Sequence, residues 1–477
     1  GVVLDSTSSF VPGARVTVVN ARTEARAVGL ASIEGRFAFP SLPPGLYTLS
    51  VEAAGFRKAV VSGLVLNVGD TISETVTLEV GAVTESIEVK AGAERVQIND
   101  AQIARATTLR EIDVLPQMER TPITLAIFNP GVQIDPADWY SLSRVNGTRT
   151  GSNNTRLDGI DMNDSVTPRL LLSIAANSPD SVEEFRMVTS GGQAEYGRSA
   201  GGQIEMITRS GGNALHGSLF EYHRNTVLNA NTFFGNSTGL DRLVFIRNVF
   251  GGSLGGPIRR EKTFFFGDYQ GNRTAQEKER HRLVMTPEAK AGLFRWKLPD
   301  STEIGKSDIV RNDPKGRGID PKVRETLELL PAPNNNSLGD GLNNAGFRFN
   351  NPAGQYGDQF NLKADHNLWS GHRVFFRYTW GRSSMIDTPN EKDARFPGQP
   401  SGTQGGDKWA YAIGSDWALT TRLVNELRTG YYWYAWDSLS PARLPGAMFL
   451  ANSWTDPLNP AFGSSRSPTV RPPDLAR

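Results

Sequence analysis

Five histidines, His216, His223, His281, His366 and His372, are the chain's whole supply of imidazole. Imidazole is the group that titrates near neutral pH and most often ligates metal. No two stand in the His-Glu-x-x-His spacing that puts a metal pair and a general base on one helix face. His366 and His372 flank Trp369 and read as interfacial polar residues. In the segment Gly255 to Thr263 (GGPIRREKT) a Lys-Thr pair is present, but Glu261 stands where a phosphate-cradling loop needs glycine. No Gly-x-Ser-x-Gly elbow occurs. Cysteine is absent, which excludes disulfides, thiolate metal sites and thiol nucleophiles. Lysine plus arginine number 51 and aspartate plus glutamate 50, so no charge imbalance points to nucleic acid. The sequence therefore predicts no enzyme, no catalytic residue, no resident metal and no cofactor.

What remains is recognition chemistry. Arg144, Arg149 and Arg156 cluster, with Arg198 further on; they are candidates to pair with carboxylates, and solvated charge is the plainer reading. Asp158-Gly159 and Asp161 mark turns, alternatively an exposed loop that faces a ligand. Glycines crowd the stretch Ala194 to Ser218, where Gly197, Gly201, Gly202, Gly211 and Gly212 surround a short strand, Gln203 to Thr208. Glycine there lets a chain turn where a Cβ would clash.

The elements that must hold these residues fall into four stretches. Residues 1–80 alternate as short strands: Val16 and Val18, then Phe37 and Phe39, then Tyr47, Leu49 and Val51. Turns fall at Pro12-Gly13, Glu34-Gly35, Pro43-Pro44-Gly45 and Gly55, a spacing that predicts a β-sandwich. Residues 81–96 are polar and strand-prone and read as a linker. Residues 97–211 are mixed α/β, with one helix predicted over Thr108 to Leu115 and a second starting at Ser178 to Ser181 and running through Phe185.

From residue 212 to 477 the pattern becomes a series of hairpins. In Arg373 to Trp380, Val374, Phe376, Tyr378 and Trp380 take one face and Arg373, Arg377 and Thr379 the other, with Phe375 the exception. Phe360, Leu362 and Ala364 likewise oppose Gln359, Asn361, Lys363 and Asp365. A turn is predicted at Gly255-Gly256-Pro257, a helix at Pro321 to Leu330, and long polar loops at 226–241, 274–356 and 383–406. The run Tyr431 to Trp436 suits a membrane–water interface. Short turns alternating with long loops is how outer-membrane barrels are built. Roughly six to eight strands fit, fewer than the ~22 of a barrel that encloses a plug, so a fragment truncated at both ends, its signal peptide included, is the expectation.

The first 80 residues, through PGARVTVVN and EGRFAFPSLPPGLYTLSVEAAGF, resemble the carboxypeptidase regulatory-like (transthyretin-like) domain. The segments RVNGTRTGSNNTRLDGIDMND (144–164), PDSVEEFRMVTSGGQAEYGRSAGGQIEMITRSGGNALHGSLFEYHRN (179–225) and FGGSLGGPIRREKTFFFGDYQGNR (250–273) resemble TonB-dependent outer-membrane receptors of the Oar-like kind. The resemblance implies a mainly β fold: an N-terminal β-sandwich, an α/β plug at 97–211, then the first strands of an antiparallel transmembrane β-barrel, incomplete in this chain. It also implies a location in the outer membrane of a Gram-negative-type bacterium. The partners it implies are TonB with its inner-membrane energising complex, outer-membrane lipid, and an imported ligand such as a siderophore, glycan or peptide, with no nucleic acid.

Site expectations follow residue by residue. Tyr196, Gly197, Gly201, Gly202, Gly211 and Gly212 form the plug-to-barrel junction. Arg156, Asp158, Gly159 and Asp161 are plug-loop candidates. Ile87 and Val89, in ESIEVKA, have the character of a strand that recruits TonB, the last strand of the sandwich being the alternative. Family plug–wall ion pairs imply that Arg144, Arg149, Arg156 and Arg198 meet acids on the barrel's inner wall. An adhesion or structural role for the same scaffold is the alternative function, and an exported processing enzyme a third.

Overall fold

The computed structural model describes residues 1–81, 86–90, 102–114, 120–133, 144–149, 151–163, 178–192, 197, 199–237, 241–299, 302–387, 393–399, 401–420, 423–435 and 437–439. Tyr196, Arg198 and residues 440–477 lie outside them.

The N-terminal unit is built from β1 (Val2–Asp5), β2 (Arg15–Asn20), β3 (Arg26–Leu30), β4 (Gly45–Glu52), β5 (Lys58–Leu66), β6 (Thr75–Leu78) and β7 (Ser86–Lys90). One sheet has the order β3-β2-β4-β5-β7, and β1 pairs with β6 in parallel. Val16, Val18, Tyr47, Leu49, Val51, Val61 and Leu78 form its core, the period-two positions of each strand. Phe37 and Phe39 pack on this core from irregular chain rather than from the expected strand. The stretch read as a linker is structured at its centre: β7 adds to β5 in parallel, with Ala59 opposite Ile87 and Val61 opposite Val89.

The central unit contains β8 (Ile103–Thr108), a helix over Leu109–Val114, β9 (Val132–Gln133), β10 (Arg144–Val145), β11 (Asn154–Leu157), β12 (Ile160–Asp161), β13 (Val182–Ser190) and β14 (Gln203–Thr208). Its sheet runs β12-β11-β14-β13-β8. Leu157, Phe185, Met187, Ile204 and Met206 are buried between this sheet and the segment Pro122–Phe128. The helix expected through Ser178 to Phe185 is a single 3-10 turn, Pro179–Ser181, followed by β13. Strand wins because β13 lies between β14 and β8 and completes the hydrogen-bond ladders of both.

The C-terminal region contains β15 (His216–Arg224), β16 (Phe245–Arg259), β17 (Thr263–Met285), β18 (Leu293–Lys297), β19 (Ile304–Asp308), β20 (Asn344–Pro352), β21 (Gln355–Trp369), β22 (His372–Ile386), β23 (Thr403–Ala418), β24 (Val424–Tyr434) and β25 (Asp437–Leu439), all but β18 and β19 in one large sheet. Its path is β15-β16-β17-β21-β22-β23-β24, antiparallel throughout, with β20 on the far part of β17 and β25 on β23, while β18 and β19 make a separate hairpin. The path stays open among the described residues. Gly255-Gly256-Pro257 lies inside β16, and the reversal comes at Arg260 to Lys262, where Glu261 has φ 62°. Pro257 adjoins a register shift at Pro257/Arg259, where a missing N–H is tolerated. The segment 274–356, read as loop, carries the outer half of β17, the β18–β19 hairpin, β20 and the expected helix, Pro321–Glu328, capped by the Asp320 side chain on the Lys322 and Val323 amides. Polar residues on both faces of the outer β17 leave no alternation to read.

This sheet is inside out. Leu219 is 93% exposed, and Leu362, Phe376, Ile413 and Tyr431 are exposed with it. Asp268, Asn361, Lys363, Asp365, Arg377 and Thr379 are buried on the opposite face. Apolar out and polar in is the arrangement of a lipid-embedded wall around an occupied lumen. Tyr269, Phe360, Trp380, Trp409 and Trp433 align in register across five strands. At the short-turn end, His372 stacks on Trp417 at 5.1 Å and Trp369 lies at its edge at 4.5 Å. Trp409 through Trp417 is a span of ~9 residues, what a tilted strand needs to cross hydrocarbon.

Candidate functional site between the central unit and the large sheet

Leu157 and Ile160 pair across a two-residue hairpin turn, Asp158-Gly159, and both turn residues have positive φ, 50° and 80°. Those angles define the mirror-image turn that Asp-Gly favours. The turn therefore needs an aspartate or asparagine first, and the aspartate's carboxylate is carried out of the sheet to the wall. Gly159 passes Arg428 so closely that a Cβ there would lie 3.2 Å from its Cγ.

Asp158 is buried, not exposed, with four donors around it. Its Oδ1 accepts from the Thr208 amide at 3.0 Å and lies 3.5 Å from Lys363 Nζ. Its Oδ2 accepts from the Thr208 hydroxyl at 2.8 Å and is ion-paired with Arg377 Nε at 2.9 Å. Lys363 Nζ also donates to the Thr208 carbonyl at 2.9 Å. Lys363 is 4% exposed and Arg377 0%. Burial alone would push the Asp158 carboxyl up; Lys363, then Arg377, then the two Thr208 donors outweigh it and hold it below the usual carboxylate range. A pair at ~4 Å is worth ~1 kcal/mol in water and ~4 kcal/mol at an effective dielectric near 20, so exclusion of water decides the strength of this cluster. Phe375, the exception to the alternation, faces inward between Lys363 (5.3 Å) and Arg428 (5.4 Å), both over its ring.

The ion pairs thus run opposite to the expected polarity: the central unit supplies the acid and the wall the cations. Arg156 pairs instead with its sheet neighbour Glu205 at 3.0 Å. Arg144 and Arg149 are exposed. Asp161 accepts from the Asn163 amide at 2.9 Å. Sequence reasoning missed Lys363, Arg377 and Thr208 as parts of a site, although alternation alone puts Lys363 and Arg377 on the inward face.

The junction glycines separate into three roles. Gly201 and Gly202 are pressed by Asn153, Thr148, Val145 and Met187 of the central unit itself. Gly211 crosses the wall: a Cβ there would meet the Phe265 carbonyl at 2.3 Å and that of Gly256 at 2.6 Å. Gly212 abuts Arg22 of the sandwich. An added Cβ at Gly197 would meet nothing within 4 Å. Beyond this junction β14 gives way to β15, so the glycine-rich stretch is where the central sheet hands over to the wall.

A cavity of ≈ 310 Å³ opens beside Asp158. Its floor includes Asp158, Gly159 and Lys363, its side Arg373 and Arg428, and its roof the sandwich residues Pro43, Pro44 and Leu66 to Asp70. Among the described residues no group of three or more His, Asp or Glu is placed to hold a metal ion, and no helix is long and apolar enough to cross a membrane, which says nothing of strands.

The family described as outer membrane beta barrel domain matches residues 207–471, and the carboxypeptidase regulatory-like domain matches residues 1–79. The TonB-dependent transporter Oar of Myxococcus xanthus is 29% identical over 284 residues, which covers 56% of this chain and 25% of that protein. The chain thus spans about a quarter of the length of this curated relative. Among solved structures, the siderophore receptor PirA from Acinetobacter baumannii is similar at 12% identity and a TM-score of 0.33, covering 70% of this chain and 48% of that one. BauA, the ferric preacinetobactin receptor from Acinetobacter baumannii, is similar at 10% identity and a TM-score of 0.36, covering 71% and 47%. With more than half its length matched, the chain belongs to the outer membrane beta barrel domain family of the Gram-negative outer membrane, carries a carboxypeptidase regulatory-like domain at residues 1–79, and is a homologue of the TonB-dependent transporter Oar.

Proposed function

We propose that the protein is a receptor and transporter that imports a bulky, scarce ligand, a siderophore, glycan or peptide, by TonB-coupled movement of its plug, with no covalent chemistry done on the ligand. The observation that carries this reading is the Asp158 cluster. One plug carboxylate is held by two wall cations, in a contact shielded from bulk solvent and secured by no covalent bond. Such a clasp is strong at rest and fails cooperatively once water enters.

Energy enters through β7. It is the edge strand of the sandwich sheet, and TonB adds a strand to the segment that carries Ile87 and Val89. The test uses the full-length protein and the purified periplasmic domain of TonB. Deletion of residues 84–91 is expected to abolish binding in calorimetry while the barrel still assembles. Undiminished binding by the deleted protein would overturn the assignment of this segment, and absence of binding by the parent protein would overturn energised transport.

A further inference from the structure

We infer that the N-terminal sandwich is a releasable cap that shields the Asp158 clasp from bulk solvent and must undock before the plug can move. This rests on the plug-movement reading above. Two patches of the sandwich grip the plug. At the first, Arg22 pairs with Glu183 at 3.2 Å and donates to the Ser210 carbonyl, while Asn213 donates through its amide to the Arg22 carbonyl (3.1 Å) and through its side chain to the Thr23 carbonyl (2.8 Å). At the second, both carboxylate oxygens of Glu184 lie 3.0 Å from the Val68 amide, and Arg186 donates to the Val68 carbonyl. Glu184 and Arg186 are buried and adjacent on one face of β13, so the plug presents a matched acceptor and donor to one residue of the sandwich.

Between these patches lies the ≈ 310 Å³ cavity, with the clasp at its floor. Its roof is rigid: the Tyr47 hydroxyl donates to the Pro43 carbonyl at 2.6 Å and holds the Pro43-Pro44 loop down. Undocking would replace this confined space by bulk periplasmic water and raise the dielectric around Asp158, Lys363 and Arg377. The sandwich also contains the route by which a pull arrives. β7 lies on β5 over Lys58 to Ser62, and β5 continues from there to Leu66, two residues short of the Val68 contact. Load on β7 therefore reaches Glu184 and Arg186 through one strand, before it reaches the clasp.

Hydrogen–deuterium exchange on the full-length receptor tests this without ligand or TonB. In the double variant Arg22→Ala with Glu184→Ala, fast exchange at the Asn213 amide, whose acceptor is the Arg22 main-chain carbonyl that both substitutions leave in place, reports undocking, and unchanged exchange at Phe376 to Thr379 reports an intact wall. The Thr208 and Asp158 amides are expected to exchange at least tenfold faster than in the parent. A second variant, Thr23→Cys with Asn213→Cys joined by a short bis-maleimide, any cysteine outside these cysteine-free 477 residues being first replaced by serine, is expected to keep the parent rates at the same amides when the other two substitutions are added. Undocking with unchanged exchange at Thr208 and Asp158, or fast exchange there in the cross-linked protein, would overturn the cap. Because neither arm requires transport, a failure here is distinguishable from a failure of the transport reading.

Discussion

At the scale of single residues, two carboxylates with opposite environments set the behaviour of the plug. Asp158 meets two cations and two Thr208 donors, and its folded-state titration is depressed. Its contribution is present at neutral pH and lost only as pH falls below the ordinary carboxylate range. Glu184 has the reverse situation. Burial, opposed by the Val68 amide, reinforced by Asp70, opposed by Arg186 and reinforced by Glu183, raises it from 4.5 to about 7. A raised acid stabilises the docked state fully below its unfolded value, and that stability is lost as pH climbs through about 7. Docking of the sandwich is therefore expected to weaken as pH rises between about 4.5 and about 7. Glu184→Gln is expected to flatten the dependence. Energy transfer between fluorophores on the sandwich and on the turn at 260–262, followed over this range, checks both; an unchanged pH profile in the variant would sink the assignment.

At the scale of elements, the junction depends on one close crossing. Gly211 runs over the edge where β16 and β17 meet, with carbonyl oxygens of Phe265 and Gly256 in the space a Cβ would take. Neither is a flexible side-chain end, so both would have to shift. Gly211→Val is expected to cut the yield of folded barrel severely, while Gly197→Ala, in open space, leaves it unchanged; heat-modifiable mobility on gels reads this. The same elements show what sequence could and could not convey. Alternation in 359–365 and 373–380 gave the two faces of β21 and β22 because lipid demands a continuous apolar face. Asp158-Gly159 was legible as a turn because few residues accept its angles. The sign of the clasp was not legible: alternation says which residues face inward, not what the plug presents to them. Glu184 was hidden because Ser178 to Phe185 carries a helix-start signature that sheet pairing overrides. Gly255-Gly256-Pro257 misled for a related reason, as glycine there serves the approach of Gly211 rather than a reversal.

At the scale of the whole molecule, three bodies share one polar seam. The wall turns its apolar face to lipid and its charges inward, the plug answers with Asp158 and Thr208, and the sandwich covers the joint from the short-turn side. Buried ion pairs offer little net stability over apolar packing, but removal of one partner typically costs ~3–5 kcal/mol. That asymmetry suits the plug movement proposed above. The most direct test is a double-mutant cycle on the full-length receptor with Asp158→Asn, Arg377→Met and both together. The asparagine keeps the turn geometry. Plug opening free energies come from exchange at Thr155 to Leu157 and Ile204 to Ile207. A coupling of about 1.5–3 kcal/mol between the two positions is the expected result. Additive effects, within ~0.5 kcal/mol, would contradict the claim that this pair fastens plug to wall.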